Sequence, residues 1–167
     1  MRIGILSDTH NNIGNLLKAL RLFQAEDITT LVHCGDMANV ITAQQMSDFD
    51  VIYVNGNMDS SAAAVNDALW MLNPNNETPG AFFSGKVGGV KIGVTHGHLF
   101  GKLDKLIRYD GHAFVFTGHT HRQRDEIVGK TRVINPGALG GARHEARTVS
   151  IVDLENGDVR FLKVSDY

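Results

Sequence analysis

Apolar residues in the first third of the chain occur in short uninterrupted runs and in helically spaced sets, in alternation. Short apolar runs predict buried strands, and apolar residues three and four positions apart predict helices that bury one face. The predicted elements are a strand over Arg2–Leu6, a helix over 13–23 with Asn11 or Asn12 as N-cap, a strand over Thr30–His33, a helix over 41–47, a strand over 51–54 and a helix over 60–72. Strands that alternate with helices predict a parallel sheet with helices outside it.

The remainder of the chain is richer in strand patterns. Residues 73–80 contain Pro74 and Pro79, and we predict a loop there. The predicted elements that follow are strands over 81–87, Val90–Thr95, 113–117, Gln123–Val128, 131–134, Thr148–Asp153 and 158–164, with a helix over 102–109. Two hairpin signals near the end predict antiparallel meanders in the last third. Because no linker separates the two parts, we expect them to pack as the sheets of one sandwich, in a single domain over 1–167.

Composition and charge exclude several classes of protein. With 43% hydrophobic and 20% charged residues, the chain of 167 residues has a globular rather than a disordered composition. The net charge of −2 supplies no global basic field, so no dedicated nucleic-acid-binding region is expected. A single Cys excludes an internal disulfide and a CxxC zinc site. No apolar run is long enough to span a membrane, and Asp8 interrupts the N-terminal apolar stretch, so we expect a cytoplasmic protein with no membrane partner.

Polar side chains gather where the predicted strands end. They are Asp8 and His10, Asp36, Asn57, His96, and the pair His119 and His121. In open α/β sheets the carboxyl ends of the strands line the ligand crevice, so we expect these five turns to converge. Most of them have a glycine neighbour, which permits the close backbone approach that a crowded site needs.

These candidates comprise two carboxylates, one carboxamide and four imidazoles. Taken singly, each has an ordinary explanation, since Asp and Asn often close turns and surface turns often carry His. Together they make seven oxygen and nitrogen donors, too many for one tetrahedral zinc and suited to two metal ions that share a carboxylate. The absence of thiolate points to Mn, Fe, Zn, Co or Ni.

The order of these motifs resembles the calcineurin-like metallophosphoesterase superfamily. The matching segments are Asp8-Thr9-His10, Gly35-Asp36, Gly56-Asn57 with Asp59 two positions later, His96-Gly97-His98 and Gly118-His119-Thr120-His121. Asn135-Pro136-Gly137 is similar to the small prokaryotic phosphodiesterase branch. The resemblance implies an α/β fold, a four-layer α-β-β-α sandwich of two mixed sheets flanked by helices.

The resemblance also implies a ligand set and a reaction. One metal ion would be held by Asp8, His10, Asp36 and His121, and a second by Asp36 as the bridge together with Asn57, His96 and His119. The implied cofactors are two divalent transition metal ions, manganese first, with nickel, cobalt, iron or zinc as alternatives. The implied function is a phosphodiesterase that acts on a small phosphoester substrate, by in-line attack of a metal-bridging hydroxide. A non-catalytic protein-interaction module on the same fold and a phosphomonoesterase are the alternatives, and homo-oligomer formation is left open.

Three positions depart from the family pattern. Met58 stands where many members have His and this branch often has Cys, Asn39 replaces an acid, and Ala138 replaces a common Ser. Methionine cannot donate a proton to a leaving oxygen. These departures affect the expected efficiency and leaving-group range and remove none of the seven ligands.

Two residues outside the ligand set are candidate catalytic residues. His98, two positions after His96, is the candidate donor to the phosphate, with simple packing on its loop as the alternative. Asp59 is expected to orient a metal ligand. Arg143 and Arg147 are expected to be solvated loop residues, with a phosphate contact as the alternative. The residues expected to have structural roles only are His33, His112, His144 and Cys34, the last as a buried inert thiol.

Overall fold

Two mixed sheets lie face to face between helices in the computed structural model, which describes residues 1–164. The strands are β1 (Arg2–Leu6), β2 (Thr30–His33), β3 (Asp50–Val54), β4 (Glu77–Gly80), β5 (Phe82–Val87), β6 (Val90–Thr95), β7 (Phe114–Phe116), β8 (Gln123–Val128), β9 (Thr131–Pro136), β10 (Thr148–Asp153) and β11 (Val159–Lys163). The helices are α1 (Ile13–Ala25), α2 (Val40–Gln44), α3 (Ala62–Leu72) and α4 (Lys102–Arg108). None of these helices is long and apolar enough to cross a membrane.

The first sheet has the strand order β11-β10-β1-β2-β3-β4, with β1, β2 and β3 parallel as predicted. Its outer face packs against α1, α2 and α3 through a cluster that includes Leu16, Phe23 and Leu69. The side chain of Asn12 accepts a hydrogen bond from the Asn15 N–H at 3.0 Å, so the predicted cap of α1 is confirmed. Helices on this face leave the carboxyl ends of the strands free to carry the polar loops.

The second sheet has the order β5-β6-β7-β9-β8 and packs on the inner face of the first. Apolar side chains from both sheets, among them Ile5, Val32, Val94 and Phe116, form the core between them. Helix α4 contacts β6 and β9 on the outer side, where its Leu106 is buried. The predicted α-β-β-α sandwich is therefore confirmed.

The loop predicted over 73–80 is wrong for its second half. Residues Glu77–Gly80 form β4, which pairs in parallel with β3 at the edge of the first sheet. The register of this pair is irregular between Ile52 and Val54. An edge strand needs only one row of backbone hydrogen bonds, so it accommodates Pro79.

The expected division of the chain into an early parallel sheet and a late antiparallel sheet is only partly correct. The hairpins β8–β9 and β10–β11 are antiparallel as predicted. However, β9 also pairs in parallel with β7, and β10 returns to the first sheet, where it pairs antiparallel with β1. Both sheets are mixed because strands distant in sequence complete them.

Candidate metal centre

The loops that follow β1, β2, β3, β6 and β7 meet at one end of the sandwich. Backbone hydrogen bonds join them: the Asp8 N–H donates to Gly35 O at 3.0 Å, and the His10 N–H donates to Asp36 O at 2.9 Å. From the other side, the Gly140 N–H donates to Asp8 O at 2.7 Å. These bonds place loops from distant parts of the chain in direct contact.

Five of the seven predicted metal ligands have a left-handed backbone conformation. Their φ angles are 53° for Asp8, 45° for His10, 56° for Asp36, 68° for His119 and 57° for His121. Each such conformation in a non-glycine residue costs on the order of 1–3 kcal/mol, and the surrounding structure must hold it. Strained residues cluster at functional sites, and here they coincide with the predicted ligands.

Two glycines allow the loops to approach closely. A Cβ atom on Gly56 would lie 2.1 Å from Asp36 Oδ1, and one on Gly118 would lie 1.9 Å from Ser7 Oγ and 2.7 Å from Asp8 Oδ2. Any larger residue would displace one of the two aspartates. The glycines noticed in the sequence therefore make room for the carboxylates.

One group of donors consists of Asp8, His10 and His121. The Nε2 atom of His121 lies 3.1 Å from Asp8 Oδ1 and 3.3 Å from the Nε2 atom of His10. The His10 Nε2 atom lies 3.8 Å from Asp8 Oδ1. The lone pairs of these ring nitrogens and of the carboxylate oxygen repel one another at such distances. A proton or a metal ion between them removes the repulsion.

A second group consists of Asp8, Asp36 and His96. The Nε2 atom of His96 lies 3.3 Å from Asp36 Oδ2, and Asn57 Oδ1 lies 3.1 Å from the same nitrogen. Asp36 Oδ2 also lies 3.6 Å from the Nε2 atom of His10. This carboxylate oxygen therefore stands between the two groups, where a ligand shared by two ions would be needed.

Backbone carbonyls orient two of the imidazoles. The Nδ1 atom of His96 lies 2.8 Å from Cys34 O, and that of His121 lies 2.7 Å from Ala142 O. When Nδ1–H donates to a carbonyl, the lone pair of Nε2 is free for a metal ion. Sequence reasoning missed both carbonyls, since any residue type supplies one.

Charge in the centre favours a bound cation. Burial opposes ionisation of Asp36, but the His96 ring and the Met58 N–H outweigh it and lower the pKa to about 2. The pKa of Asp8 is also lowered, because its burial is outweighed by His10 and the other nearby imidazoles. In turn, the Asp8 carboxylate raises the pKa of His10. Two ionised carboxylates in a buried site attract positive charge.

Whether metal ions fit these residues can be tested at a buried carboxylate oxygen that has no hydrogen-bond donor. Asp8 Oδ1 accepts no hydrogen bond from the part of the chain that the structure describes. It is surrounded by the Nε2 atoms of His121 at 3.1 Å, His10 at 3.8 Å and His96 at 3.9 Å. A buried carboxylate oxygen that lacks a donor is costly unless a cation compensates it. The donor set therefore fits divalent metal ions.

Comparisons with known proteins identify the family of this chain. The sequence model of the calcineurin-like phosphoesterase superfamily domain matches residues 1–157. This chain belongs to that superfamily. A phosphodiesterase of Methanocaldococcus jannaschii is 32% identical over 162 residues, which are 96% of this chain and 97% of that protein. A probable metallophosphoesterase of Bacillus subtilis is 28% identical over 170 residues, which cover 96% of this chain and 90% of that protein.

A solved structure of an archaeal phosphodiesterase has the same fold. It superposes with a TM-score of 0.91 at 32% identity, over 98% of this chain and 99% of that one. The predicted family is therefore confirmed. The chain is a hydrolase of the phosphoesterase family, which implies divalent metal ions.

In this phosphoesterase, His119 belongs to neither of the two convergent groups. Its ring packs edge-on against that of His96, with centroids 5.0 Å apart, and its backbone N–H donates to Asp8 Oδ2 at 3.0 Å. The side chain is exposed, as is that of Asn57. These two candidate ligands lie at the rim of the centre.

Asp59 holds two of the ligand loops together. Its carboxylate accepts hydrogen bonds from the backbone N–H groups of Asp36 at 2.9 Å, Ala38 at 2.7 Å and Gly56 at 2.6 Å. The side chain is nearly buried, with 8% of its surface exposed. Asp59 therefore orients a ligand loop and lies behind the centre.

The His98 ring lies beside the centre. Its centroid is 5.4 Å from that of His96 and 6.3 Å from that of His119. Its Nδ1 atom is buried and has no hydrogen-bond partner among residues 1–164. Burial, followed by the two neighbouring imidazoles, lowers the pKa of His98. A neutral imidazole thus lies next to the metal ligands, with its unpaired Nδ1 atom buried.

His33 has a larger role than sequence reasoning assigned to it. It is fully buried, and burial lowers its pKa to about 4, so the ring is neutral. Its Nδ1 accepts from the Gly35 N–H at 3.2 Å, and its Nε2 lies 2.8 Å from Thr9 Oγ1. The His33 ring therefore connects the loop after β1 with the loop after β2. The sequence does contain a signal for this role: His33 ends a predicted strand and directly precedes the Cys34-Gly35-Asp36 turn.

Arg147 was expected to be solvated, and this is wrong. Its guanidinium donates to Gly140 O at 2.5 Å and to Gly141 O at 2.8 Å, so it fixes the loop that borders His10 and His121. This contact depends on the conformation of the loop, and the spacing of residues in the sequence does not predict that conformation.

Four other residues considered in the sequence analysis lie outside the candidate ligand set. His112 is buried, with Nδ1 at 2.8 Å from Leu106 O. His144 is exposed, with its ring centroid 6.1 Å from that of His121. Cys34 is a buried free thiol whose pKa is raised by burial, as expected for an inert one. Asn39 caps α2, accepting from the Thr42 N–H at 3.0 Å, which accounts for its amide side chain.

Proposed function

We propose that this chain is a phosphodiesterase that hydrolyses a small phosphodiester with two divalent metal ions. The proposed ligands of one ion are Asp8, His10, Asp36 and His121, and those of the other are Asp36, Asn57, His96 and His119. The single observation that carries the proposal is the environment of Asp8 Oδ1. This oxygen is buried, accepts no hydrogen bond in residues 1–164 and has three imidazole Nε2 atoms within 3.9 Å.

Oxygen and imidazole donors without thiolate favour manganese first, with nickel, cobalt, iron and zinc as alternatives. When bound, such ions place positive charge next to the phosphoryl oxygens and lower the pKa of a water molecule. The hydroxide that such a water would supply would attack phosphorus in line with the leaving oxygen, whose bond to phosphorus would break.

The chain itself positions and neutralises the reacting groups. The carbonyls of Cys34 and Ala142 hold two imidazoles with Nε2 towards the centre. The carboxylate of Asp59 fixes the Asp36 loop. His98, whose ring lies beside that of His96, is the proposed donor to a phosphate oxygen. The Met58 side chain is 56% exposed and has no acidic proton, so the leaving oxygen takes its proton from water.

The main alternative is a non-catalytic interaction module on the same fold. Retention of all seven donor residues, five of them in left-handed conformations, argues against it. A scaffold would have no need for a buried carboxylate oxygen without a donor, such as Asp8 Oδ1. The phosphomonoesterase alternative shares the same centre and is separated from the first by substrate preference alone.

Metal analysis combined with two substrates tests the proposal. Protein freed of metal and then supplied with Mn²⁺ is expected to retain two ions per chain, and to hydrolyse bis(p-nitrophenyl) phosphate faster than p-nitrophenyl phosphate. Faster hydrolysis of the monoester would show a phosphomonoesterase. Failure to bind Mn²⁺, Ni²⁺, Co²⁺ or Zn²⁺ at micromolar concentration would establish the scaffold instead.

A further inference from the structure

A cleft lies directly beside the candidate metal centre. It is bounded by residues 97–101, α4 and β8, and has a volume of about 560 Å³. Ligand sites in proteins span roughly 300–1,000 Å³, so the cleft is large enough for a small organic group. We name it the α4 cleft.

The α4 cleft begins where the metal centre ends. His98 lines the cleft, and its ring centroid is 5.4 Å from that of the candidate ligand His96. Gly97 also lines it, and a Cβ there would lie 2.8 Å from Thr117 Oγ1, so the loop follows the second sheet closely. The cleft is therefore within reach of a substituent on a phosphate held at the centre.

Part of the wall of the α4 cleft is apolar. Leu99, Phe100, Leu103 and Ile107 line it. Phe100 exposes 107% of its reference surface, so its ring has almost no contact with the rest of the chain. A large aromatic side chain held on an ordered loop in this way is available to stack on a ligand.

The charged residues of the α4 cleft neutralise one another. Arg108 Nε lies 2.5 Å from Asp104 Oδ1, and Arg124 donates through Nε and Nη2 to Glu126 Oε2 at 2.9 and 2.8 Å. Two guanidinium groups and two carboxylates thus form two internal pairs. The charges that line the cleft therefore cancel, so the lining has no excess positive charge that would favour a second phosphate group over an uncharged one.

From these observations we propose that the α4 cleft binds one uncharged aromatic ester group of the substrate, with Phe100 as the stacking residue. The inference rests on the proposed function, because it takes the phosphate to lie at the metal centre. It narrows the substrate class to diesters with an aryl or similar planar apolar substituent. A protein partner is the competing occupant, and the test below separates the two.

Two readouts on Phe100→Ala test the proposal. Phe100→Ala is expected to raise KM for bis(p-nitrophenyl) phosphate about tenfold, with kcat changed less than about twofold. By calorimetry in the presence of Mn²⁺, wild-type protein is expected to bind phenylphosphonate about tenfold more tightly than methylphosphonate, and Phe100→Ala to lose this preference. Neither phosphonate has an ester bond to hydrolyse.

Matched variants serve as controls. Tyr109 is another exposed aromatic residue, and it borders a neighbouring cavity instead of the α4 cleft. Tyr109→Ala is expected to leave KM and the phosphonate preference unchanged, and Phe100→Tyr to restore both. Because Phe100 is fully exposed, its replacement should leave folding and metal content as they are.

The outcomes separate failure of this proposal from failure of the proposed function. An inactive wild-type protein that binds both phosphonates overturns the proposed function. The calorimetric preference still tests whether the α4 cleft binds an aromatic group. An active protein with the same KM after Phe100→Ala overturns the cleft proposal alone. Equal wild-type affinity for the two phosphonates also overturns it.

Discussion

The candidate metal centre has a buried part, formed by Asp8, Asp36 and His96, and an exposed part, formed by Asn57 and His119. The three buried residues expose at most 2% of their surface. Each is held by backbone contacts, such as the Met58 N–H that donates to Asp36 Oδ1 at 2.8 Å. The two exposed residues lie at the rim.

This difference shows which part of the centre exists before a metal ion binds. The buried donors are fixed by the folding of the two sheets, since their neighbours leave them no other position. The exposed donors keep freedom that a bound ion would restrict. We therefore expect the buried donors to determine both metal affinity and the stability of the fold, and the exposed donors to affect metal binding and activity but not the fold.

Replacing a buried donor should have the largest effect. Asp36→Asn preserves size and an acceptor for the Met58 N–H but removes the charge shared by the two groups. We expect turnover of an aryl phosphodiester to fall about 1,000-fold, with less Mn²⁺ bound per chain. Asp67→Asn, at an exposed position of α3, is the control and should change neither quantity. Undiminished metal content in Asp36→Asn would remove Asp36 from the ligand set.

Replacing an exposed donor should reduce activity and leave the fold intact. For Asn57→Ala and His119→Ala we expect turnover to fall about 100-fold. The thermal midpoint of the metal-free protein should not move, because neither side chain is buried. Unchanged rates in either well-folded variant would show that the rim residue is not a ligand.

The close approach of the loops can be tested at a glycine. The Cβ of Gly56→Ala would meet Asp36 Oδ1 and the Asp36 backbone nitrogen at 2.1 and 2.4 Å. We expect a loss of about 1–3 kcal/mol in the free energy of unfolding, measured in urea. Gly14→Ala, in α1 with its nearest atom at 3.8 Å, should instead stabilise the protein by up to about 1 kcal/mol. Equal stabilities of the two variants would contradict the tight packing.

The smallest effect is expected at His98, beside both parts of the centre. His98→Ala removes one hydrogen bond to the phosphate and should slow turnover about tenfold. Mn²⁺ content should stay at the wild-type value, as measured on the purified protein. A fall in metal content would instead move His98 into the ligand set.

Much of the fold was predictable from local patterns. Apolar-rich patterns located β1, β2 and β6 with the bounds seen in the structure, because strands that are largely buried on both faces are rich in apolar residues. The edge strand β4 was missed, since its pairing depends on β3 and not on its own residues. For the same reason, local patterns did not show that β10 pairs with β1.

The seven candidate ligands could be named from the sequence, because each follows a predicted strand and the carboxyl ends of strands line ligand crevices in α/β folds. Their order and spacing also identified the superfamily. The backbone carbonyls of Cys34 and Ala142, the His33 bridge and the Arg147 contact came only from folding, since each depends on where a loop turns. The same is true of the α4 cleft, whose walls come from a loop, a helix and an edge strand that touch only in the folded chain. Residue type and spacing thus determine which chemical groups are present, and packing determines which of them face one another.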